Sequence, residues 1–463
     1  MVLRIYGLKD RTFQKIAMLG ARNNSLADKL CAFLLALCPI IQFYKGIYQN
    51  AGFTVLILLF PYIAIKFIRV LNRDGIDKRC LTAILPMILF QAYKMVDHSI
   101  NMNRILYGVF FIFLFLAIAV GCINVGYFIK YAVLIGTAAG VLLLIQYICY
   151  YILGFHLQLA PTSLFLKSSA GWIAGAQTGL YGIRGLKNDF YRPCAFFMEP
   201  SHLFLYCFPI LCLMLFSQGQ DRARLRYAGW ITLAMFLSTS GMGVVCSVAV
   251  WIVYFALYRS KDNKRNVARW KNMLTVRNLS ILIGVVLALV ILYFTVPVFG
   301  KTVDRFLKET STGGSSAVDG RNRLARGLIR SITGSARIFG VSETLDVSFN
   351  MPGFYATFYK FGWIGVILSY WYYGQFVFRV RGSGFWISLI VLIVSFFSAH
   401  THGTFYMMYF IIVQMNAMYM HGRERIAVSD GYFRSSVCRA DVNESERKRT
   451  AWNEAIEPIG GNE

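Results

Sequence analysis

Long apolar runs separated by short polar segments dominate the chain between residues 28 and 420. A helix needs roughly 17–25 apolar residues to cross the hydrocarbon core of a bilayer, and about twelve runs approach or reach that length. The runs lie at 28–46, 50–69, 79–97, 104–122, 128–153, 201–217, 227–241, 242–258, 279–299, 352–378, 383–400 and 403–420. The pattern predicts an all-α polytopic membrane protein with about twelve transmembrane helices.

Polar segments divide the chain into three predicted parts. Residues 1–27 form an N-terminal segment, residues 28–420 the transmembrane domain, and residues 421–463, which turn abruptly polar, a C-terminal tail. The first apolar run comes late and lacks the small-residue cleavage site of a signal peptide, so we expect the first helix to be an uncleaved anchor. Polar side chains interrupt the apolar pattern between residues 80 and 128, namely Lys94, Asp97, His98 and Arg104.

Composition agrees with a membrane setting. Hydrophobic residues make up 57% of the chain, charged residues 15%, and the mean hydropathy is +0.54, which excludes an ordinary soluble enzyme. The net charge of +25 is also typical of nucleic-acid binding, but most basic residues lie between apolar runs or at the termini, as the positive-inside bias requires. We therefore predict no nucleic-acid partner, and both termini in the cytoplasm for an even helix count.

Two long connections, 155–200 and 300–351, fall on the outer side in this topology. Loops of that length on a rigid scaffold usually carry function. The second loop is rich in arginine, against the positive-inside bias, which indicates something negative outside. Read as a helix over 317–332, it places two stripes on opposite faces, with Arg323, Arg326 and Arg330 on one and Leu324, Leu328 and Ile332 on the other. The alternative is a surface helix whose arginines meet lipid phosphates or neighbouring acidic residues.

Imidazole and carboxylate groups gather at the same predicted outer face. Arg192, Glu199 and His202 lie at the start of one apolar run, and His400 and His402 lie in the short turn between the last two runs. Each has a structural alternative: the histidines as interfacial hydrogen-bonding groups, and Glu199 as a helix cap or as the partner of Arg192. A zinc site built from these histidines and Glu199 is a further alternative, but the ligand spacing is not diagnostic, and we predict no metal and no cofactor.

These motifs resemble the O-antigen polymerase and ligase superfamily, and most of all the Wzy-type polysaccharide repeat-unit polymerases. The resemblance covers residues 155–405. It rests on Arg192-Pro, Glu199-Pro-Ser-His202, the Ser238-Thr-Ser-Gly241 turn, Phe339-Gly340-Val341, and an arginine-x10-glycine match from Arg323 to Gly334. The first loop contains Arg184 and Arg192 but no glycine at the matching distance.

The resemblance implies a metal-independent, inverting glycosyltransferase with a GT-C-like fold in the bacterial inner membrane. Such an enzyme polymerises undecaprenyl-diphosphate-linked oligosaccharide repeats into O-antigen, capsular polysaccharide or exopolysaccharide at the outer leaflet. The implied catalytic bases are Glu199 and His202, with His400 or His402 as the alternative. Five arginines are the implied diphosphate-binding residues, namely Arg184, Arg192, Arg321, Arg323 and Arg326.

Two alternative functions share this substrate. An O-antigen ligase would transfer the glycan to lipid A-core, and the sequence hardly separates it from a polymerase. A flippase would bind the lipid-linked oligosaccharide without reacting, but it would place ionisable groups along a midplane cavity rather than at one face. Besides the lipid-linked substrate and membrane lipid, the resemblance implies flippase and chain-length regulator proteins as partners.

Overall fold

The structure of the chain is a computed structural model. It describes residues 25–47, 50–74, 78–96, 102–155, 157, 164, 193–216, 222–257, 287, 293–294, 300, 325–341, 351–380 and 383–415. Within these ranges the chain is mostly helical, and its β-structure is limited to an isolated bridge between Lys45 and Asn50. The prediction of an all-helical protein is confirmed for this part of the chain.

Eleven helices are labelled here in chain order. They are α1 (Leu26–Ile41), α2 (Ala51–Asp74), α3 (Lys78–Val96), α4 (Met102–Ala119), α5 (Val125–Tyr151), α6 (Pro200–Phe216), α7 (Arg222–Leu237), α8 (Gly241–Leu257), α9 (Gly353–Arg379), α10 (Ser383–Phe397) and α11 (Thr404–Met415). A short helix, Ala336–Phe339, precedes α9, and a 3-10 turn, Ala399–His402, joins α10 to α11.

Four of these helices, α2 to α5, are long and apolar enough to cross a membrane by length and composition. Four shorter helices, α6, α8, α10 and α11, are also apolar. Both sets coincide with runs expected to span the bilayer. The ninth run, 279–299, lies almost entirely outside the described residues, as do most of the two long loops and of both terminal segments. The count of twelve therefore stays a prediction.

Helix α6 lies at the centre of the bundle. It packs against α5, α7, α8 and α10, and nearly all of its residues from His202 to Phe216 are buried. Its sequence is a continuous apolar run with no polar stripe, which is typical of a helix enclosed on every side. His202, in its first turn, is therefore held deep among neighbouring helices.

Tyrosine hydroxyl groups connect α6 to its surroundings through main-chain carbonyls. Tyr206 donates a hydrogen bond to the carbonyl of Ala36 at 3.0 Å, and Tyr409 donates to the carbonyl of Tyr206 at 2.9 Å. Tyr406 donates to the carbonyl of His202 at 3.3 Å. Each bond satisfies a buried hydroxyl without a second polar side chain. We call these three residues the tyrosine staples.

Helix α1 ends at Ile41, five residues before the predicted end of its run at residue 46. The chain turns there because the amide of Tyr44 donates to the carbonyl of Ile41 at 3.0 Å, and the amide of Ala51 to the carbonyl of Tyr44 at 2.9 Å. Phe43 therefore leaves the helix and reaches towards Met198, just before α6. We call this end of the bundle, where α1 ends and α6 begins, the histidine end.

The opposite end of α1 holds a buried ion pair. Asp28, in the first turn, pairs with Lys66 of α2, and its carboxylate also accepts hydrogen bonds from Tyr62 and Ser25, each at 2.7 Å. The hydroxyl of Ser25 in turn accepts from the amide of Asp28 and so caps the helix. The partners that surround this carboxylate offset its removal from water.

Helix α9 is broken where the sequence predicts one continuous run. Gly362 has φ 59° and ψ −161°, a backbone conformation that residues other than glycine rarely adopt. A Cβ atom at Gly362 would overlap the backbone of Ile338, and one at Gly340 would overlap the backbone of Lys360. The break therefore lets the segment that follows the short helix lie directly against the main chain of α9.

The Ser238–Gly241 turn joins α7 to α8 with strained backbone. Thr239 has φ 53°, and the hydroxyl of Ser240 caps α8 by accepting a hydrogen bond from the amide of Gly243 at 3.3 Å. Tyr147 of α5 donates to the carbonyl of Leu237 at 2.8 Å and so holds the end of α7. The Ser238–Gly241 motif, one of those on which the family resemblance rests, is thus a tight connection between neighbouring helices.

Candidate active site at the histidine end

Glu199 starts helix α6 through its backbone. Its carbonyl accepts hydrogen bonds from the amides of His202 at 3.0 Å and Leu203 at 3.3 Å, and Pro200 occupies the first helical position, where a missing amide costs nothing. The half-buried side chain of Glu199 accepts a hydrogen bond from the hydroxyl of Ser201 at 2.9 Å. The carboxylate stays beside the first turn, one turn away from the buried helix interior.

The segment before α6 is held from two sides. Gln146 of α5 accepts a hydrogen bond from the amide of Ala195 at 3.0 Å and donates to the carbonyl of Leu157 at 3.2 Å. Tyr44 donates to the carbonyl of Phe196 at 3.0 Å. Ala195 itself has φ 53°, a strained conformation for a residue with a side chain. These contacts fix the path by which the first long loop returns to the bundle.

His202 is buried between two rings. Its imidazole stacks on Phe43, with ring centroids 4.4 Å apart and planes 10° apart, and meets the edge of His400 at 4.3 Å and 84°. The side chain is 1% exposed, and neither ring nitrogen has a hydrogen-bond partner among the described residues. A buried polar atom without a partner costs about 1–3 kcal/mol, which makes this ring a candidate functional group.

His400 belongs to the turn between α10 and α11, which two other helices hold. Tyr373 of α9 donates to the carbonyl of Thr401 at 2.8 Å, and Lys94 of α3 donates to the carbonyl of His402 at 3.1 Å. Two consecutive carbonyls of the turn are therefore held by two different helices. His400 is half-buried, so the imidazole pair of His202 and His400 is reached through His400.

His402 has a different environment. Its Nε2 lies 3.4 Å from the carbonyl of Ser395, and its ring packs near Tyr370 and Tyr373 at centroid distances of 5.5 and 5.8 Å. Burial lowers the pKa of His402, and the ammonium group of Lys94 lowers it further. This imidazole is therefore neutral at physiological pH, and the described contacts assign it to the packing of the turn.

Lys94 lies among aromatic rings at the end of α3. Its ammonium group is 4.5 Å from the ring centroid of Phe90 and 5.3 Å from that of Phe361, in addition to its hydrogen bond with His402. Aromatic faces of this kind stabilise a partly desolvated cation. The lysine that interrupts an apolar run of the sequence thus has defined partners in the bundle.

Arg326 is exposed on a helical segment, residues 325–331, that packs on α9. Ala325 and Ile332 are buried and Leu328 is half-buried, while Arg330 is exposed. For the four stripe residues that the structure describes, the observed faces agree with the prediction, while Arg323, Leu324 and the predicted helix over 317–324 lie outside the described residues. Ala325 and Ile332 belong to a hydrophobic cluster against which Ala399, the neighbour of His400, also packs. Four other predicted diphosphate-binding residues lie outside the described residues, namely Arg184, Arg192, Arg321 and Arg323.

Phe339, Gly340 and Val341 dock onto α9 and α3. The amide of Val341 donates to the carbonyl of Tyr359 at 2.8 Å, and the hydroxyl of Tyr93 donates to the carbonyl of Phe339 at 2.7 Å. Tyr93 is the sequence neighbour of Lys94. The end of α3 therefore contacts both the second long loop and the turn Ala399–His402, which we call the histidine turn.

The zinc alternative needs at least three ligating side chains around one ion. Across the described residues no group of three or more His, Cys, Asp and Glu side chains is placed to hold a metal ion. Glu199, His202 and His400 lie at the same end of the bundle. There the rings of His202 and His400 are in contact.

Sequence reasoning missed Phe43, Tyr93 and Lys94 as residues of this site. The apolar run 28–46 includes Phe43, although Lys45 and Gly46 directly after it indicate a turn. Lys94 interrupts an apolar run, and a lysine inside a membrane helix by itself indicates a functional or tightly paired position.

The described fold and site define a helical protein with several helices long and apolar enough to span a membrane, and with a buried and a half-buried imidazole in contact at one end. No protein-family model and no curated protein matches the chain.

Proposed function

We propose that this protein polymerises polyprenyl-diphosphate-linked oligosaccharide repeats at the outer face of a bacterial inner membrane. The observation that carries the proposal is the imidazole pair: His202 is fully buried with no described partner at either nitrogen, and it faces the more accessible His400. The pair lies at the bundle end where both long loops return to the helices. An acceptor hydroxyl, a carboxylate and arginines would meet there.

The donor sugar carries its own leaving group, because a diphosphate departs readily once its charge is stabilised. Guanidinium groups suit this task, since their paired donors match phosphate oxygens. In the proposal, Arg326 and the loop arginines Arg184, Arg192, Arg321 and Arg323 bind the diphosphate. Exposure of Arg326 beside the cluster that contains Ala399 supports this role.

The acceptor hydroxyl must lose its proton as its oxygen attacks the anomeric carbon. The new glycosidic bond forms while the bond from the anomeric carbon to the diphosphate oxygen breaks, and the polyprenyl diphosphate leaves with that electron pair. A neutral imidazole or a carboxylate accepts the proton. We assign this step to the pair of His202 and His400, with Glu199 as the alternative base. A single displacement inverts the anomeric configuration and needs no ATP.

The described charges favour an enzyme over a flippase. Asp28 and Lys66 are buried, but they pair with each other at the end of α1 opposite Phe43. An ionisable pathway through a transporter would place such groups along the midplane.

A ligase shares the donor chemistry of a polymerase, so the two differ only in the acceptor.

The deciding experiment gives the purified full chain a polyprenyl-diphosphate-linked repeat unit as the sole substrate. A ladder of products spaced by one repeat is the result expected for a polymerase. Product that forms only after addition of lipid A-core would indicate a ligase instead. Unchanged substrate that crosses the bilayer of a proteoliposome would contradict the enzyme proposal and favour a flippase.

Variants at the site separate catalysis from folding. We expect His202→Ala and His400→Ala each to lower the polymerisation rate by about 10²–10⁴-fold, the usual contribution of general base catalysis. Ser201→Ala, which removes only the hydrogen bond to Glu199, is the matched control on the same turn and should cost about tenfold or less. Membrane levels and thermal stability are measured for each variant. Full activity of both histidine variants would overturn the assignment.

A further inference from the structure

The end of helix α3 touches two parts of the site that are distant in sequence. Tyr93 donates its hydroxyl proton to the carbonyl of Phe339 at 2.7 Å, in the segment that ends the second loop's helical region. Lys94 donates to the carbonyl of His402 at 3.1 Å, in the histidine turn. Consecutive residues of one helix therefore hold the main chains of both parts.

Both contacts are made to backbone atoms and are reinforced by packing. Phe361, directly before the break in α9, meets the ring of Phe90 at 5.3 Å and that of Tyr93 at 6.5 Å. The ammonium group of Lys94 also lies 5.3 Å from the ring of Phe361. The backbone of Gly340 lies directly against that of Phe361, so a displacement of this segment would move the ring that supports the lysine.

Hydrophobic packing connects the same parts independently. Ala325 and Ile332 of the arginine-bearing segment share a cluster with Met351 and Val366, and Ala399 packs against that cluster. Ala399 precedes His400, whose ring meets His202. The loop segment and the histidine turn are thus joined on one side through apolar contacts and on the other through α3.

We propose that Tyr93 and Lys94 are positioning residues that couple docking of residues 325–341, the described segment of the second loop, to the placement of His400 against His202. The loop bears Arg326, so a loop seated on its diphosphate ligand brings the imidazole pair into its working geometry. Neither residue touches the reacting atoms in this scheme. The effect on catalysis rests on the proposed function, whereas the effect on the histidines does not.

The test uses Tyr93→Phe, which removes one oxygen atom and keeps the ring. Tyr147→Phe is the matched control, because Tyr147 is also half-buried and also donates to a main-chain carbonyl at 2.8 Å, at the end of α7. Two quantities are measured on the full chain in nanodiscs. One is the polymerisation rate, and the other is the rate at which diethyl pyrocarbonate modifies each of the six histidines, read by mass spectrometry.

We expect Tyr93→Phe to lower the polymerisation rate and to raise the modification rate of His400 by about fivefold each, the factor that one net hydrogen bond is worth. Tyr147→Phe should leave both unchanged. General unfolding would instead raise the modification of all six histidines together. Lys94→Met should change the same two quantities in the same direction, and Lys94→Arg, which keeps a cationic donor, should restore most of both.

The outcomes separate the two proposals. A selective change at His400 in a protein that makes no polymer would uphold the coupling and overturn the proposed function. Polymerisation by the wild type with unchanged His400 reactivity in Tyr93→Phe and Lys94→Met would overturn the coupling and leave the function standing. A change of equal size in Tyr147→Phe would also overturn the coupling, because the effect would then not belong to α3.

Discussion

His400 and His402 are two positions apart and have different surroundings. A 3-10 helix completes one turn in three residues, so side chains at positions i and i+2 cannot point the same way. His400 therefore meets His202, while His402 turns towards Ser395 and Tyr370. The sequence placed both histidines at one turn, but only the turn's helix type decides which of them joins the imidazole pair.

Stability of the turn should depend on pH through His402. Burial and Lys94 lower the pKa of His402 in the folded protein, so the unfolded chain, with a histidine pKa of about 6.5, binds the proton more tightly. The stabilisation is complete above pH 6.5 and declines as the pH falls. At pH 5.5 we expect a loss of about 1.4 kcal/mol.

Thermal unfolding of the wild type and of His402→Gln between pH 7.5 and pH 5.5 measures this loss. The glutamine variant has no imidazole to titrate at this position. The difference in free energy of unfolding between the wild type and this variant should therefore shrink as the pH falls. His202 is present in both proteins and cancels in the comparison. If the melting temperatures of the two proteins fell in parallel between pH 7.5 and pH 5.5, protonation of His402 would not affect stability.

At the scale of elements, the apolar pattern located helices well and their ends poorly. Helices α3 and α6 begin and end within one or two residues of the predicted runs. The end of α1 was missed because Phe43 and Tyr44 are apolar enough to continue a helix, while backbone hydrogen bonds turn the chain there. The break in α9 was missed because one glycine within an apolar run is tolerated in a helix, and only tertiary contact with Gly340 shows why it must be there.

Two glycines of α9 give a matched pair of substitutions. Gly362→Ala places a methyl group against the backbone of Ile338 at a positive φ. We expect this substitution to lower the free energy of unfolding by about 1–3 kcal/mol. Gly374→Ala meets no atom within 4 Å and should be neutral or stabilise by up to about 1 kcal/mol. The melting temperatures of the two variants test the break. Equal melting temperatures would contradict it.

For the whole molecule, the proposed topology places the two ends of α2 on opposite sides of the membrane. Ile47, before α2, is 95% exposed, and Asn72, in its last turn, is also exposed. A membrane-impermeant maleimide should label Ile47→Cys in cells with intact inner membranes. It should label Asn72→Cys only after that membrane is permeabilised, with the wild-type protein as the background control. Reversed labelling would place the histidine end in the cytoplasm and remove the basis of the proposed function.

The candidate site could be proposed from the sequence as a set of residue types, but its geometry could not. Glu199, His202 and His400 were recognisable because polar groups at the edges of apolar runs need a reason to be there. Their aromatic and cationic neighbours were not, since Phe43 comes from α1 and Lys94 from α3, and no local pattern shows which helices meet. The predicted roles of Arg184, Arg192, Arg321 and Arg323 stay predictions.

The tyrosine staples have a consequence for how this scaffold tolerates change. Because Tyr206, Tyr406 and Tyr409 bond to peptide oxygens, none of the three bonds depends on the side chain of the residue that receives it. Two of the receiving residues are constrained for other reasons, since His202 belongs to the candidate site and Tyr206 is itself a donor. At the third, Ala36, a change of side chain need not break the hydrogen bond between α1 and α6.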